Sequence, residues 1–338
     1  MKSNINDVAK HAGVSIKTVS RVMNNEPSVR QATRDKVMLS VNALNYQPNS
    51  AARNLAATKS YTIAFIYDNP NAYYVIDMQQ GILSECRKQG YDLLIHPCDS
   101  LAEGIVENLS TMIRHAQIAG VVLTPPFSEM PEFIDELTKH DIKFVRILSG
   151  NEIPDQRSPC VMVDDYAAAF EITEHLIKLG HKHISFISGG KSHKSTSERL
   201  KGYKAALTAN QIPLDPQYIV DGEYSFESGV QGAQYLLNLP NRPTAIFSCN
   251  DEIAAGALFA SRLMNVDIPQ QLSIVGFENS PFSRQTWPKL TTANQPNDQI
   301  AQNATKMLIA ATRKQKEQTV NGLFVPELLI RDSSAKHV

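Results

Sequence analysis

The sequence predicts an α/β protein in which a small N-terminal helical unit precedes two doubly wound parallel-sheet subdomains. The chain has 338 residues, which is too long for one ordinary core, so two or three folded units are expected. Apolar residues recur at helical spacing over residues 5–44, whereas later apolar runs rich in Val, Ile and Phe alternate with helical patterns. Basic residues are concentrated before residue 60.

Composition places the chain among ordinary globular proteins, with 42% hydrophobic and 20% charged residues. No apolar run approaches the roughly 20 residues that span a bilayer, and the N-terminus lacks the layout of a signal peptide. The cysteines are widely scattered and form no CxxC pair, which argues against a disulfide framework or a zinc site; they are Cys86, Cys98, Cys160 and Cys249. We therefore expect a cytoplasmic protein with no membrane partner.

The segment INDVAKHAGVSIKTVSRVMNN, residues 5–25, has the pattern of two short helices joined by a tight turn. Val8 and Ala12 lie at helical spacing, Gly13 permits the turn, and Ser15 is placed to cap the second helix. Such a pair is a helix-turn-helix, whose second helix fits the DNA major groove. A third helix then closes the small core with an apolar stripe of Val37, Val41 and Leu44.

The charge of this N-terminal region fits a polyanionic partner. Residues 1–60 contain nine Lys/Arg and three acidic residues, a net charge of +6, while the remaining chain has 33 − 9 = 24 basic and 34 − 3 = 31 acidic residues, or −7. The outer face of the second helix can read bases or contact phosphates, through Ile16, Lys17, Thr18, Ser20 and Arg21. The alternative is a basic surface that is merely solvated.

The next segment, NYQPNSAARNLAATKS at residues 45–60, predicts a short hinge helix. Pro48 ends the third helix and Asn49 can cap a new one. About eight helical residues are marginally stable alone, so this helix is expected to fold on a partner. Leu55 has no obvious core to join and could insert as a wedge between base steps in the minor groove. An ordinary interdomain linker is the alternative.

The body of the chain alternates strands and helices. Four apolar runs rich in β-formers stand at 61–67, 91–96, 119–124 and 143–148, and the series restarts at 160–163, 183–188, 244–249 and 272–277. Buried runs that alternate with helices imply parallel sheets built from βαβ units. Two such blocks predict two doubly wound subdomains with a cleft between them, where ligands meet the carboxyl ends of the strands.

No motif in the body indicates catalysis. The SGG at 188–190 lacks the flanking pattern of a dinucleotide or phosphate loop. His181 and His183 have no evident third partner for a metal, and no nucleophile elbow is present. We expect a protein that is not an enzyme and that needs no cofactor or metal.

Polar and aromatic residues follow several predicted strands, in the segments 68–74, 249–252 and 277–280, while 199–203 opens a helix and Tyr224 lies in a loop. Planar rings can stack on the C–H face of a sugar, while Asn, carboxylates and Arg pair with its hydroxyls. Together these segments predict a carbohydrate site. Each polar residue alone could be a helix cap, as Asn250 illustrates.

Several motifs carry a family resemblance over residues 5 to about 331: DVAKHAGVSIKTVSRVMN, TRDKV, LNYQPNSAARNLA, CNDEIAAGAL and LSIVGFEN. They resemble the lactose/galactose repressor family of bacterial transcription regulators. The resemblance implies DNA contacts by Ile16, Lys17 and Arg21 and by the hinge residues Asn49, Ala52 and Leu55. It implies effector contacts by Arg199, Asn250, Glu278 and Gln295, with Tyr73, Tyr74 and Tyr224 as aromatic walls.

Two positions depart from the family pattern. Glu278 stands where many members have Asp, so the hydroxyl pattern of the effector can differ. Arg30 stands where many members have a Ser that caps the third helix, and Ser28 with Gln31 could supply a shifted capping box. Trp287, the only tryptophan, is either a lid over the ligand or a packing residue.

The resemblance also implies the domain organisation. The helix-turn-helix headpiece is expected at 1–48, the hinge helix and linker at 49–60, and a periplasmic-binding-protein-like effector and dimerisation domain at 61–333. The first subdomain is expected at about 61–160 and 294–322, and the second at about 161–293 and 323–333.

These features predict a repressor of a carbohydrate-utilisation operon that a small sugar releases. It is expected to bind a pseudo-palindromic, double-stranded operator as a homodimer, and no leucine heptads follow IRDSSAKHV to form a tetramerisation tail. One alternative is a repressor that needs a purine or phosphosugar as corepressor. Another is a sugar-binding module without a DNA function.

Overall fold

The computed structural model describes residues 3–23, 28–46, 60–152, 155–313 and 322–337. The chain divides into two compact units, residues 1–61 and residues 62–338. Within the described ranges, none of the helices combines the length and the apolar character needed to cross a membrane.

The described residues of the N-terminal unit form three helices, α1 (Ile5–Ala12), α2 (Ile16–Met23) and α3 (Gln31–Ala43). Helix α1 begins with a capping box in which Asn4 and Asp7 satisfy each other's backbone N–H groups. Gly13 ends it in the left-handed conformation, at φ +58°, which makes the tight turn possible. The predicted cap of α2 is confirmed, because the Ser15 Oγ accepts from the Thr18 backbone N–H at 3.1 Å.

A small apolar core joins these three helices. Val8, Val19 and Val37, one from each helix, are completely buried. The predicted stripe on α3 is confirmed, since Val37 and Val41 are buried and Leu44 packs partly against them. Because all three helices share this core, α2 is held with one face inward and the opposite face in solvent.

The predicted capping box at the start of α3 is wrong. The helix begins at Gln31, and its cap residue Arg30 makes no side-chain cap hydrogen bond. The Gln31 Nε2 instead donates along the helix to the Asp35 Oδ1 at 2.8 Å. Ser28 stands too far before the first helical residue to act as its cap.

The larger unit alternates strands with helices. Its strands are β1 (Thr62–Tyr67), β2 (Asp92–Pro97), β3 (Gly120–Leu123), β4 (Phe144–Ser149), β5 (Cys160–Val163), β6 (Ile184–Ile187), β7 (Ile219–Val220), β8 (Ala245–Ser248), β9 (Ser273–Val275), β10 (Thr292–Asn294), β11 (Gly322–Phe324) and β12 (Glu327–Leu329). Its helices are α4 (Ala72–Gln89), α5 (Ile105–His115), α6 (Pro131–Lys139), α7 (Asp165–Lys178), α8 (Lys194–Ala209), α9 (Phe226–Leu237), α10 (Asp251–Leu263), α11 (Pro281–Gln285) and α12 (Asn297–Thr312).

Two parallel sheets organise this unit. One has the strand order β11-β5-β4-β3-β1-β2 and the other has the order β7-β6-β8-β9, while β10 and β12 form a short antiparallel pair. In both sheets the order changes direction at the first strand laid down, which is the doubly wound arrangement. The predicted fold class, a helix-turn-helix unit with two doubly wound subdomains, is confirmed.

One strand assignment from the sequence is wrong. β5 was expected to start the second sheet, but it pairs in parallel with β4, in the register Arg146 with Cys160, and therefore extends the first sheet. β11 then pairs with β5 on its other side. A run of four buried apolar residues fits either sheet equally well, so its pattern could not choose between them. The remaining subdomain boundaries stay predictions.

Close helix packing fixes the position of α10, whose N-terminus lies at the carboxyl end of β8. A Cβ at Gly229 of α9 would lie 2.0 Å from the Ile253 carbonyl oxygen, and one at Gly256 of α10 would lie 2.0 Å from the Phe226 carbonyl oxygen. Only glycine allows the two backbones to approach so closely. The start of α10, with Asn250 as its cap, is therefore held rigidly beside the second sheet.

Candidate functional site

The exposed face of α2 is the candidate nucleic-acid interface. Lys17 and Arg21 are exposed, Ile16 is 47% exposed, and Thr18 and Ser20 are half-buried. The Thr18 hydroxyl lies 2.9 Å from the Ser15 Oγ, so it also takes part in the helix cap. Contact of these five side chains with DNA stays a prediction. The hinge residues predicted to bind DNA lie outside the described residues; they are Asn49, Ala52 and Leu55.

The second candidate site is a cleft at the carboxyl ends of strands from both sheets. The accessible space inside it is about 50 Å³, which is less than the roughly 300–1,000 Å³ of typical small-molecule sites. Polar groups follow β1, β4, β5 and β9, and they are joined by side chains from α8 and the loop after β7. The polar and tyrosine residues that line it are Asn69, Asn71, Tyr74, Ser149, Asp165, His193, Ser195, Arg199, Tyr224, Glu278 and Gln295.

Arg199, from the first turns of α8, is the centre of this cleft and is only 3% exposed. Its Nε donates to the Asp165 Oδ1 at 2.8 Å, its Nη1 to the Cys249 carbonyl at 2.6 Å, and its Nη2 to the Gln295 Oε1 at 3.3 Å. The guanidinium carbon lies 3.7 Å from the centre of the Phe277 ring. A guanidinium has five N–H donors, so the Nη atoms keep donors for a ligand.

Burial opposes the charge on Arg199, but Asp165 and the other neighbouring groups together more than offset this and hold the pKa of the guanidinium above its ordinary value. The Asp165 carboxylate also accepts from the Ser149 Oγ at 2.5 Å. The guanidinium is therefore a fixed positive charge that neighbouring groups already orient. A buried cation of this kind can bind two adjacent hydroxyls without first being ordered.

Glu278 follows β9 and faces Arg199, with its Oε1 3.8 Å from the Arg199 Nη1. Its Oε2 accepts from the Asn71 Nδ2 at 2.5 Å. Its backbone has φ +100°, which is uncommon for a residue with a side chain, and its N–H donates to the Ala293 carbonyl at 2.8 Å. Burial raises the pKa of Glu278 to about 8, although Arg199 lowers it. This carboxyl group can therefore accept or donate a hydrogen bond near neutral pH.

Two tyrosines form walls of the cleft, and both are more than 90% buried. The Tyr224 hydroxyl lies 2.7 Å from the Thr196 Oγ1 and 3.1 Å from the Ser195 Oγ. The Tyr74 backbone N–H donates to the Asn71 Oδ1 at 3.1 Å, at the start of α4. The His193 ring packs edge-on against Tyr224, with 5.4 Å between ring centres.

The cleft brings together five of the residues that the sequence indicated as effector contacts, which are Tyr74, Arg199, Tyr224, Glu278 and Gln295. It does not bring in the other two. Tyr73 is half-buried and packs edge-on against Phe282 at 5.5 Å. Asn250 is completely buried and caps α10 by accepting from the Ile253 N–H at 2.9 Å. Effector binding by any of the seven stays a prediction.

The sequence missed several polar residues of the cleft, namely Asn69, Asn71, Ser149, Asp165, His193 and Ser195. Asn71 follows the first strand within a segment that the sequence did indicate. Asp165 follows β5, a run of four buried apolar residues. Both follow the carboxyl end of a strand in the first sheet, and this position was the available signal.

Trp287 and His181 are not among the residues that line the cleft. Trp287 is 73% exposed, so the structure supports neither the packing role nor a place among the lining residues. His181 is buried and lies 2.9 Å from the Thr244 Oγ1 and 3.0 Å from the Ser273 Oγ. Burial lowers the pKa of His181 to about 4, as expected for a neutral imidazole that joins strands. In the described part of the chain, no cluster of His, Cys, Asp and Glu could hold a metal ion.

Comparisons with known proteins cover both sites. A family model described as bacterial regulatory proteins, lacI family, matches residues 4–49, and a model of a periplasmic binding protein-like domain matches residues 173–334. Catabolite control protein A of Priestia megaterium is 33% identical over 329 residues, which is 96% of each chain. The ribose operon repressor of Haemophilus influenzae is 32% identical over 327 residues, which is 97% of each chain.

A solved structure is also similar to this chain along almost its whole length. The lac repressor dimer bound to operator and the anti-inducer ONPF has a TM-score of 0.76 at 27% identity, and the match covers 99% of this chain and all of that one. With relatives above 30% identity along almost the whole length, the chain belongs to the lacI family of bacterial regulatory proteins.

Proposed function

We propose that this protein is a sequence-specific DNA-binding repressor of a carbohydrate-utilisation operon, and that a small neutral sugar bound in the cleft releases it from the operator. The observation that carries the proposal is the lining of the cleft. A buried guanidinium, a carboxyl group and a carboxamide converge there between two tyrosine rings. Such groups recognise adjacent hydroxyls and the C–H face of a sugar ring.

The charges in the cleft favour a neutral sugar over a phosphosugar. Arg199 is already paired with Asp165, and Glu278 adds a second carboxyl group beside it. Among the described residues that line the cleft, none is an unpaired cation that could balance a phosphate against these carboxyl groups. A purine corepressor could stack between Tyr74 and Tyr224, but the polar groups around Arg199 suit hydroxyls better. The name of one relative, the ribose operon repressor, refers to a neutral sugar.

The headpiece supplies the DNA function of the proposal. The basic, exposed face of α2 can enter a major groove while its apolar face stays in the three-helix core. Two such headpieces on a homodimer match a pseudo-palindromic operator. This disfavours a sugar-binding module without a DNA function. The proposed site of action is the bacterial cytoplasm, the reducing compartment that suits four free cysteines.

The proposal is tested by a thermal-shift screen of D-ribose, D-glucose and cellobiose, with D-ribose 5-phosphate, hypoxanthine and adenine as the competing classes. A sugar at about 100 times its Kd stabilises the folded protein by about 2.7 kcal/mol, which is a measurable rise in Tm. Each ligand is then added to the complex with an operator selected from random duplexes. We expect a neutral sugar that stabilises the protein and weakens operator binding. A phosphosugar or purine that strengthens operator binding would contradict the proposal.

A further inference from the structure

Asn71 and Glu278 meet across the cleft from opposite sheets. Asn71 lies in the loop after β1, in the six-stranded sheet, and Glu278 follows β9, in the four-stranded sheet. The Asn71 Nδ2 donates to the Glu278 Oε2 at 2.5 Å. Asn71 is 4% exposed and the Glu278 side chain is 9% exposed, so this hydrogen bond is shielded from water.

Each residue is held firmly by its own half of the protein. The Asn71 N–H donates to the Asn69 Oδ1 at 2.8 Å, and the Asn71 Oδ1 caps α4 by accepting from the Tyr74 N–H. The Glu278 N–H donates to the Ala293 carbonyl, and its φ of +100° gives the side chain a direction that ordinary backbone does not provide. The hydrogen bond therefore joins two fixed points and not two mobile side chains.

We infer that Asn71 is a positioning residue of the cleft, which holds the Glu278 carboxyl group from across the cleft and keeps the two halves closed when no effector is bound. Because Asn71 occupies Oε2, the other oxygen is left facing Arg199, where a sugar hydroxyl can reach both groups. An effector must therefore share this hydrogen bond or replace it. The inference rests on the proposed function only in taking the cleft as the effector site.

The length of the Glu278 side chain is part of the inference. An aspartate at this position is one methylene shorter and cannot reach the Asn71 amide from the same backbone. The groups that surround the Glu278 carboxyl are Arg199, Asp251, Asp165 and Asn71. Of these, Asn71 is the one that reaches it with a hydrogen bond from the loop after β1.

Reversal of the donor and the acceptor tests this hydrogen bond directly. Asn71→Asp keeps a side-chain oxygen to cap α4 but removes the amide donor. The variants are compared above pH 8, where Glu278 is ionised, so the two carboxylates repel and the halves should separate. Glu278→Gln keeps an accepting oxygen, so the cleft should stay closed. In the Asn71→Asp/Glu278→Gln double variant, the new amide donates to the new carboxylate, and closure should return. Glu278→Asp should also open the cleft, because the shorter side chain cannot reach the Asn71 amide. This variant adds no carboxyl group to the cleft.

Ser195→Ala is the matched control. Ser195 also lines the cleft, but its hydroxyl lies 3.1 Å from the Tyr224 hydroxyl, within the same half of the protein. Its loss should leave closure unchanged. Circular dichroism of every variant checks that the helices are retained.

The readout is the distance between spin labels at the exposed positions Glu132 on α6 and Gln234 on α9. It is measured by pulsed electron resonance on the full chain in a Cys98→Ser background, diluted with unlabelled chain and without sugar or DNA. We expect one short distance for the unmodified chain, Glu278→Gln, the double variant and the control. Asn71→Asp and Glu278→Asp should give longer and broader distributions.

An unchanged distance in Asn71→Asp, or a double variant as open as Asn71→Asp alone, would overturn the inference. Because the experiment uses no sugar and no DNA, a failure of the proposed sugar response leaves its result unaffected. The two ideas can therefore fail separately.

Discussion

Truncation of Arg199 should destabilise the folded protein as well as remove a ligand contact. From sequence alone, Arg199→Ala would be expected to leave operator binding near normal and abolish only the response to the sugar. The structure changes this expectation, because the guanidinium is 3% exposed and the Asp165 side chain that pairs with it is also 3% exposed. Arg199→Ala would leave the Asp165 carboxylate buried without its cation.

The magnitude follows from these contacts. Removal of one partner from a buried ion pair costs about 3–5 kcal/mol, because the other charge remains buried and unpaired. The Cys249 carbonyl and the Gln295 Oε1 also lose a charged donor. Since these losses share one side chain and do not add, we expect the free energy of unfolding to fall by about 4 kcal/mol.

Urea denaturation followed by circular dichroism measures this loss. The Arg199→Ala/Asp165→Ala double variant removes both charges, so it should cost at least about 1 kcal/mol less than the sum of the two single variants. Arg114→Ala is the control for arginine truncation, because Arg114 is exposed and its loss should stay within about 0.5 kcal/mol. A loss below about 1 kcal/mol for Arg199→Ala, or costs that simply add, would show that Arg199 and Asp165 do not form a stabilising buried ion pair.

The remaining predictions concern pH, DNA reading and the domain division. Burial raises the pKa of Glu278 to about 8 from an ordinary 4.5, so the folded state holds a proton that the unfolded state loses, and this stability is lost as pH rises from about 4.5 to 8. Between pH 5 and 8, the unfolding free energy of Glu278→Gln should therefore fall less steeply with pH, by about 1.4 kcal/mol per pH unit. If denaturation curves give the same pH slope for both proteins, the pKa of Glu278 is not raised in this way. Arg21→Ala should cost about 1–3 kcal/mol on the operator and less on random DNA in gel-shift titrations, whereas equal losses would exclude base reading. Removal of residues 1–60 should abolish operator binding but leave a folded, sugar-binding body, because residues 62–338 form their own compact unit; retained nanomolar operator affinity would place the DNA site elsewhere.

Local patterns were sufficient to predict the headpiece. Ser15 as a cap, Gly13 as a turn, and the buried Val37 and Val41 all follow from spacing over a few residues. The start of α3 was harder to predict, because Ser28 and Gln31 satisfy a sequence pattern that the backbone does not adopt. Local preference sets which residues can cap a helix, and tertiary packing sets where the helix begins.

Residues of the cleft could be predicted from the sequence only where the type of side chain and its position along the chain both indicated a ligand site. Glu278 is a charged residue in a segment that follows a strand, and the family resemblance indicates Arg199; the structure places both in the cleft lining. Asn71 and Asp165 were missed because their roles depend on which strands are neighbours, and sequence spacing does not contain that information. Asn250 also follows a strand, and its role as a helix cap accounts for that place.

The most direct test of the account is the release of operator DNA by a sugar. Fluorescence anisotropy of a labelled operator, selected from random duplexes, is titrated with the neutral sugar that gives the largest thermal shift. We expect this sugar to weaken operator affinity at least about tenfold, which corresponds to a difference of about 1.4 kcal/mol in its affinity for the two states of the protein. A sugar that binds the cleft tightly and leaves the operator affinity unchanged would contradict the account.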